Sequence, residues 1–216
     1  MKSDDTLRHD VETELLWDPS IDAHAVAASV EDGIVTLMGR VSHYPERSAA
    51  EWAAERVRGV RGVANEIDVE RPGDHSDTEI ASAAADALES DPHAKTCVIK
   101  PVVSDGCVTL DGEAEWNFQR LAAQKALSLI PGVRRVNNRI HLRSKATAEN
   151  VKEKIEAAIQ RLALLDAKDI SVESSGSRVV LRGRVHALIA RKEAETAAWA
   201  APGVTDVENQ IEVISR

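Results

Sequence analysis

The stretch DGIVTLMGRV, Asp32 to Val41, decides the fold because the chain writes it three times. Its echoes are DGCVTLDGEA (Asp105 to Ala114) and GSRVVLRGRV (Gly176 to Val185). An Asp-Gly pair makes a tight turn, since glycine tolerates positive φ. The residues after it alternate with period two, placing Val35, Leu37, Gly39 and Val41 on one face of a strand. Gly39, Gly112 and Gly183 recur at intervals of 73 and 71 residues. Gly59, Gly132 and Gly203, in RGVRGVANEI, PGVRRVNNRI and PGVTDVENQI, keep both intervals, as do Asn65, Asn138 and Asn209. Units of this size are domains rather than turns of a solenoid. Polar, turn-rich segments separate them, RPGDHSD (Arg71 to Asp77) and RSKATAE (Arg143 to Glu149), so the copies run 1–73, 74–144 and 145–216.

Each copy reads in the same order. A first helix carries apolar residues at helical spacing: Leu7, Val11 and Leu15; Ile80, Ala84 and Leu88; Val151, Ile155 and Ile159. Asp18-Pro19 and Asp91-Pro92 close it in two copies. A strand follows (AVAASV, VIKPVV, ISVESS), and Pro101 makes it an edge strand or a bulged one. After the repeated turn and strand comes an Ala-rich helix: RSAAEWAAERV, RLAAQKALSLI and RKEAETAAWAA. Gly-Val then marks its end, with glycine suited to the C′ position, before a last strand. Two helices cover one face of a three-stranded sheet. The predicted class is α+β: three tandem two-layer α/β sandwiches, each helix-strand-strand-helix-strand.

Composition narrows the chemistry. Hydrophobic residues make up 43% and aromatic ones 3%, so the cores are built from Ala, Val, Leu and Ile. A net charge of −9 argues against nucleic acid, whose phosphates need Lys and Arg. The N-terminal MKSDDTLRHDVETELL has no apolar h-region and no run is long enough to span a membrane. The expected location is cytoplasmic, or periplasmic if a leader has been removed. Cys97 and Cys107 are not partners across their hairpin and are expected as free thiols. Nucleophile-elbow, phosphate-loop and zinc-protease motifs are missing, and the seven histidines share no ligand spacing. The reading is therefore non-enzymatic, with no catalytic residue, metal ligand or cofactor-binding residue to name.

The recurring residues resemble the BON domain (bacterial OsmY and nodulation). In the first copy these are Gly33, Val35, Leu37, Gly39, Val41, Gly59, Val60, Val63, Asn65, Ile67 and Val69. The second copy keeps Gly106, Val108, Leu110, Gly112, Gly132, Val133, Val136, Asn138 and Ile140. The third keeps Val179, Leu181, Gly183, Val185, Gly203, Val204, Val207, Asn209 and Ile211, with Ser177 for the first glycine. The resemblance implies a non-catalytic module of envelope and osmotic-stress proteins that binds phospholipid or membrane-associated partners. A potassium-binding cytoplasmic branch of the family makes potassium or another small ligand the alternative. A chaperone-like scaffold is the third reading.

Function is sought in the residues that differ among copies. Trp17, Trp52, Trp116 and Trp199 each align with a polar residue in another copy, which points to packing between domains or to a lipid or partner interface. Trp116 with Phe118, in EWNF, is the best exposed apolar tip. The outward face of the repeated strand is apolar in the first copy, acidic in the second (Asp111, Glu113) and basic in the third (Arg182, Arg184). Such faces suggest that the copies dock on one another, where Arg182 and Arg184 opposite Asp111 and Glu113 would be complementary, or on different partners; unrelated solvated surfaces are the plainer alternative. By copy the charge runs −7, −2 and 0, from 8 basic and 15 acidic, 8 and 10, and 11 and 11 residues. If any copy approaches anionic lipid it should be the second or third; Arg134, Arg135, Arg139 and Arg143 form the densest basic run of the second, with a solvated strand edge as the plainer reading.

Overall fold

In the computed structural model, which describes residues 2–70, 75–143, 150–162 and 169–214, the repeated stretch is the central strand of each sheet. The first copy runs α1 (Asp4–Trp17), β1 (Val26–Glu31), β2 (Ile34–Val41), α2 (Tyr44–Arg56) and β3 (Gly62–Val69). The second runs α3 (Asp77–Ser90), β4 (Val98–Ser104), β5 (Cys107–Ala114), α4 (Asn117–Ser128) and β6 (Arg135–Leu142). The third runs α5 (Val151–Gln160), β7 (Ile170–Ser175), β8 (Arg178–Val185), α6 (Leu188–Trp199) and β9 (Asp206–Val213). The first two strands of each sheet are antiparallel, and the third returns parallel to the second through the Ala-rich helix. That crossover needs a connection as long as a helix. Of the expected linkers, residues 71–74 and 144–149 lie outside the described residues.

Backbone chemistry explains which letters repeat. Asp32 and Gly33 both take positive φ (50° and 75°), as do Asp105 and Gly106 (50° and 70°), giving the turn that matches strand twist. The third copy moves its glycine to the first turn position, Gly176 at φ 59°, so Ser177 can follow. The Asp4 carboxylate accepts from the turn amides of Asp32 and Gly33 at 2.9 and 3.1 Å, and Asp77 accepts from Asp105 and Gly106 at 2.8 and 3.0 Å. Gly39, Gly112 and Gly183 sit at φ 139°, 150° and 143°. A Cβ there would lie 2.0, 2.0 and 1.9 Å from the carbonyl oxygens of Ala25, Val98 and Asp169. Only glycine lets the edge strand pass that closely. Gly59 follows the C-cap Val57 by two residues, and Gly132 and Gly203 follow Leu129 and Ala200 by three. They turn the chain into the last strand instead of occupying C′. Pro101 pairs in register with Leu110 in an unbroken ladder, so its strand is an edge without a bulge.

The repeated asparagine joins helix to sheet. Asn65 Nδ2 donates to the Arg47 carbonyl and to Glu51, both at 3.0 Å, while its Oδ1 accepts from Ile67 N at 3.2 Å. Asn138 does the same with Arg120, Gln124 and Ile140, and Asn209 with Arg191, Glu195 and Ile211. Each side chain satisfies both its donor and its acceptor while spanning two elements.

The copies meet head to tail. The start of α2, at Tyr44, faces the end of α4 and its following turn, Ser128 to Val133, across a cleft of about 390 Å³. The start of α4 faces the end of α6 in the same way. The start of α6 returns to the end of α2, where Lys192 Nζ lies 2.6 and 2.7 Å from the two carboxylate oxygens of Glu55. Sheet ends repeat the arrangement. Arg134 bonds to Asp68 and to the Val69 carbonyl at the end of β3, while Arg61 shares a cleft with Glu212 and Val213 at the end of β9. Three head-to-tail helix contacts, each between a different pair of copies, close the chain into a ring. The cores of the first two copies merge into one cluster that also takes in Leu188 from the third.

Candidate functional site

The aromatic residues singled out in the second and third copies converge on one interface. Trp116, Phe118 and Leu121 project from the beginning of α4, and Thr196, Trp199 and Ala200 from the end of α6. Together with Asn117 they line a cleft of about 350 Å³, within the size range of ligand sites. No lining side chain carries a formal charge. His93 meets Phe118 edge-on, ring centroids 5.3 Å apart, and fixes the outer wall. The Gln119 carboxamide accepts from Glu115 N and Trp116 N at 3.1 and 2.9 Å and donates to Thr96 at 2.9 Å, which anchors the helix start.

Arg120 backs the inner wall, its guanidinium 4.7 Å from the Trp199 ring centroid. Cation–π geometry of this kind is worth most where water is excluded. Burial pulls the Arg120 guanidinium below its ordinary value, and the nearby Glu195 carboxylate opposes that shift. Arg47 and Arg191, at the matching positions, instead clamp their own last strands: Arg47 donates to the carbonyls of Asn65 and Ile67, Arg191 to that of Asn209. Sequence reasoning overlooked this arginine, although 47, 120 and 191 keep the same two intervals. It also overlooked Asn117 and Leu121. The available signal was that Asn117 aligns with Tyr44 and Leu188 and is the polar member of that set.

The other singled-out residues lie elsewhere. Trp17, 83% exposed, ends α1 beside the exposed Leu16. Trp52 is also exposed, and the Arg56 guanidinium lies 3.9 Å from its ring centroid. Arg56 reaches Glu14 at 2.7 Å and Asp18 at 4.0 Å, so it links Trp52 to the end of α1. Trp17, at that exposure, is not packed between domains.

The basic residues divide. Arg134 is an interface residue, with Asp68 at 2.8 Å and Asp105 at 3.1 Å. Its hydrogen bond holds the Asp68 carboxyl below the usual carboxylate range. Arg143 pairs with Glu113 at 3.2 Å, while Arg135 and Arg139 are exposed on β6. Of the alternatives for the strand faces, docking of Arg182 and Arg184 on Asp111 and Glu113 is not what the described residues show. Arg182 bonds to Glu173 and Gln210, and Arg184 lies 3.8 Å from Glu212, all within its own sheet. Cross-strand neighbours are simply nearer than another domain. Cys97 and Cys107 are free thiols, and burial raises the former. Among the described residues no group of three or more His, Cys, Asp or Glu side chains is arranged to hold a metal ion.

The repeat and its sheet topology have a counterpart among known families, for the BON domain profile matches residues 3–71, 76–144 and 147–215. The chain belongs to the BON-domain family. Its three copies carry the turn, central strand and asparagine on which the resemblance rests, with Ser177 in place of the first glycine in the third copy. Among curated proteins, none matches this BON chain significantly. Solved structures similar to it include CdsD, a structural protein of the type III secretion system of Chlamydia trachomatis, at 16% identity and a TM-score of 0.27. That alignment covers 98% of this chain and 93% of the other. The C-terminal domain of CdsD matches at 16% identity and 0.26, covering 99% and 100%.

Proposed function

We propose that this BON-domain chain is a non-enzymatic binding protein of bacterial envelope or stress physiology, and that it docks on phospholipid through the end of α1. The observation that carries the reading is Trp17, 83% exposed next to Leu16 at 64%. A large indole and a leucine left in water at a helix end suit the boundary between headgroups and acyl chains. No described helix is long and apolar enough to cross a membrane, so the contact is peripheral. Family membership supports a binding role at envelopes.

Charge sets the lipid preference. The first copy carries 8 basic and 15 acidic residues, and Arg56 at the patch is already paired with Glu14. Attachment is therefore apolar, with repulsion from anionic headgroups at low salt. Co-sedimentation with phosphatidylcholine vesicles should exceed that with phosphatidylglycerol vesicles at low ionic strength, and the gap should close at high salt. Trp17→Ser removes about 2 kcal/mol of apolar transfer and should weaken binding roughly thirtyfold. Wild-type protein that sediments with neither vesicle, or Trp17→Ser protein that sediments as well as wild type, would overturn the proposal.

A further inference from the structure

The three corners of the ring are not built alike. Positions 61, 134 and 205, spaced by the repeat intervals of 73 and 71, hold Arg, Arg and Thr, and positions 68, 141 and 212 hold Asp, His and Glu. Where the first copy meets the second, Arg134 spans the joint, donating to Asp68 at 2.8 Å and to the Val69 carbonyl at 3.2 Å. Where the third meets the first, the matching Arg61 and Glu212 also carry opposite charges, yet they stay apart. Arg61 donates to the Asp32 carbonyl of its own copy at 3.2 Å, and Glu212 lies 3.8 Å from Arg184. Both line an open cleft of about 670 Å³. Where the second meets the third, Thr205 hydrogen-bonds to Ser177 of its own copy at 2.9 Å. The cores divide along the same line. Those of the first two copies form one cluster, whereas the third has a cluster of its own and, among the described residues, lends only Leu188 and the partly buried Val213 to the other.

We infer that the third copy is a detachable cover, which undocks as a folded body from the pair formed by the first two and thereby uncovers apolar side chains. Besides Leu188 and Val213, it is held by Lys192 on Glu55 and by the Arg120 guanidinium over the Trp199 ring. Joints of this kind permit domain motion, as a large shared apolar interface does not. A core of its own lets the third copy stay folded when it leaves. Undocking opens the joint faces at Leu188 and Trp199 and joins them to Phe118 and Leu121, which are already exposed. The closed ring thus withholds an apolar surface that the open form presents. The inference is independent of membrane docking through Trp17, which lies at the end of α1 in the first copy.

The test uses the whole chain with Cys97→Ala and Cys107→Ser, and spin labels at two exposed positions in different copies: Ser29→Cys with Lys100→Cys, or Ser29→Cys with Ser174→Cys. Dipolar distance measurement should give a single population between positions 29 and 100 in the otherwise unsubstituted chain, in Lys192→Met and in Arg134→Ala, because the first two copies share a core. Between positions 29 and 174 a second, longer population should appear in Lys192→Met, where Glu55 loses its counter-charge. Its ratio to the docked population should exceed that of the unsubstituted chain about tenfold or more. Hydrogen exchange of Lys192→Met should leave the amides of β8 protected, since the third copy leaves intact. The inference is overturned by any of three results: a single distance between positions 29 and 174 in Lys192→Met, splitting of the distance between positions 29 and 100 along with it, or loss of protection in β8 as the third copy leaves.

Discussion

Glu55 and Lys192 hold the ring closed, and their burial makes an unequal pair of substitutions informative. The Glu55 side chain is 5% exposed and that of Lys192 is 50% exposed, at 2.6 Å. Lys192→Met leaves a carboxylate in the interface with no counter-charge. Breaking a fully buried pair this way costs about 3–5 kcal/mol. Half of Lys192 already faces water, so discounting for solvent leaves about 2–3 kcal/mol. Glu55→Met removes the buried charge instead, and Lys192 needs only to turn outward, so the cost should stay within about 1 kcal/mol. For a chain of this length each kcal/mol moves Tm by roughly 2–4 °C. Lys192→Met should therefore melt roughly 4–12 °C below wild type and Glu55→Met roughly 0–4 °C below. Calorimetry is the suitable assay, because a three-domain chain need not unfold in one step. The double variant should recover most of the loss seen in Lys192→Met alone. Equal destabilisation by the two single variants, or a larger effect from Glu55→Met, would refute the reasoning.

Two further outcomes follow from other contacts. Gly39→Ala sets a Cβ 2.0 Å from the Ala25 carbonyl oxygen at φ 139°, so it should cost several kcal/mol, roughly 3 or more, and abolish the cooperative melting of the first copy. The carboxyl of Asp68 is depressed chiefly by its hydrogen bond from Arg134. A depressed carboxyl contributes stability that is present above its unfolded value near 4 and lost as pH falls through the folded value. Melting of wild type should thus begin to lose this contribution below about pH 4. The effect should be small because Asp68 is 49% exposed, and it should vanish in Arg134→Ala.

What was legible in the letters follows the range of the interactions that chose them. Val35, Leu37 and Val41, or Leu7, Val11 and Leu15, are selected by the pleat and the helical turn, so their spacing states the element directly. Gly39 is selected by an edge-strand carbonyl in the same copy, and its recurrence at two fixed intervals exposed it. The ring was not legible. Its contacts join residues such as Lys192 and Glu55, 137 positions apart, and no periodicity links them. Arg182 and Arg184 show the opposite case, a long-range partner considered where Gln210 and Glu212 stand directly opposite on β9. Outward-facing charge on a sheet is answered first by the neighbouring strand. Asn117 escaped notice because one polar letter at a helix start is ordinary until the burial of its Oδ1 is known.

Three copies of one fold on one chain raise a problem of address, since any helix start could meet any helix end. The residues at the meeting points answer it. The helix-end position holds Glu55, Ser128 and Trp199, and each is matched to a different neighbour: Glu55 to Lys192, Trp199 to Arg120, and Ser128 to the cleft beside Tyr44. Exchanging neighbours would strand the buried Glu55 against the apolar Leu121 position, or set Trp199 where Lys192 needs a carboxylate. Such mismatches discriminate because an unpaired buried charge costs more than a matched pair contributes. The interior that the three copies share therefore makes the fold, and the differing helix ends order the copies around the ring. That order places the apolar cleft between the second and third copies and leaves the end of α1, with Trp17, facing outward from the first.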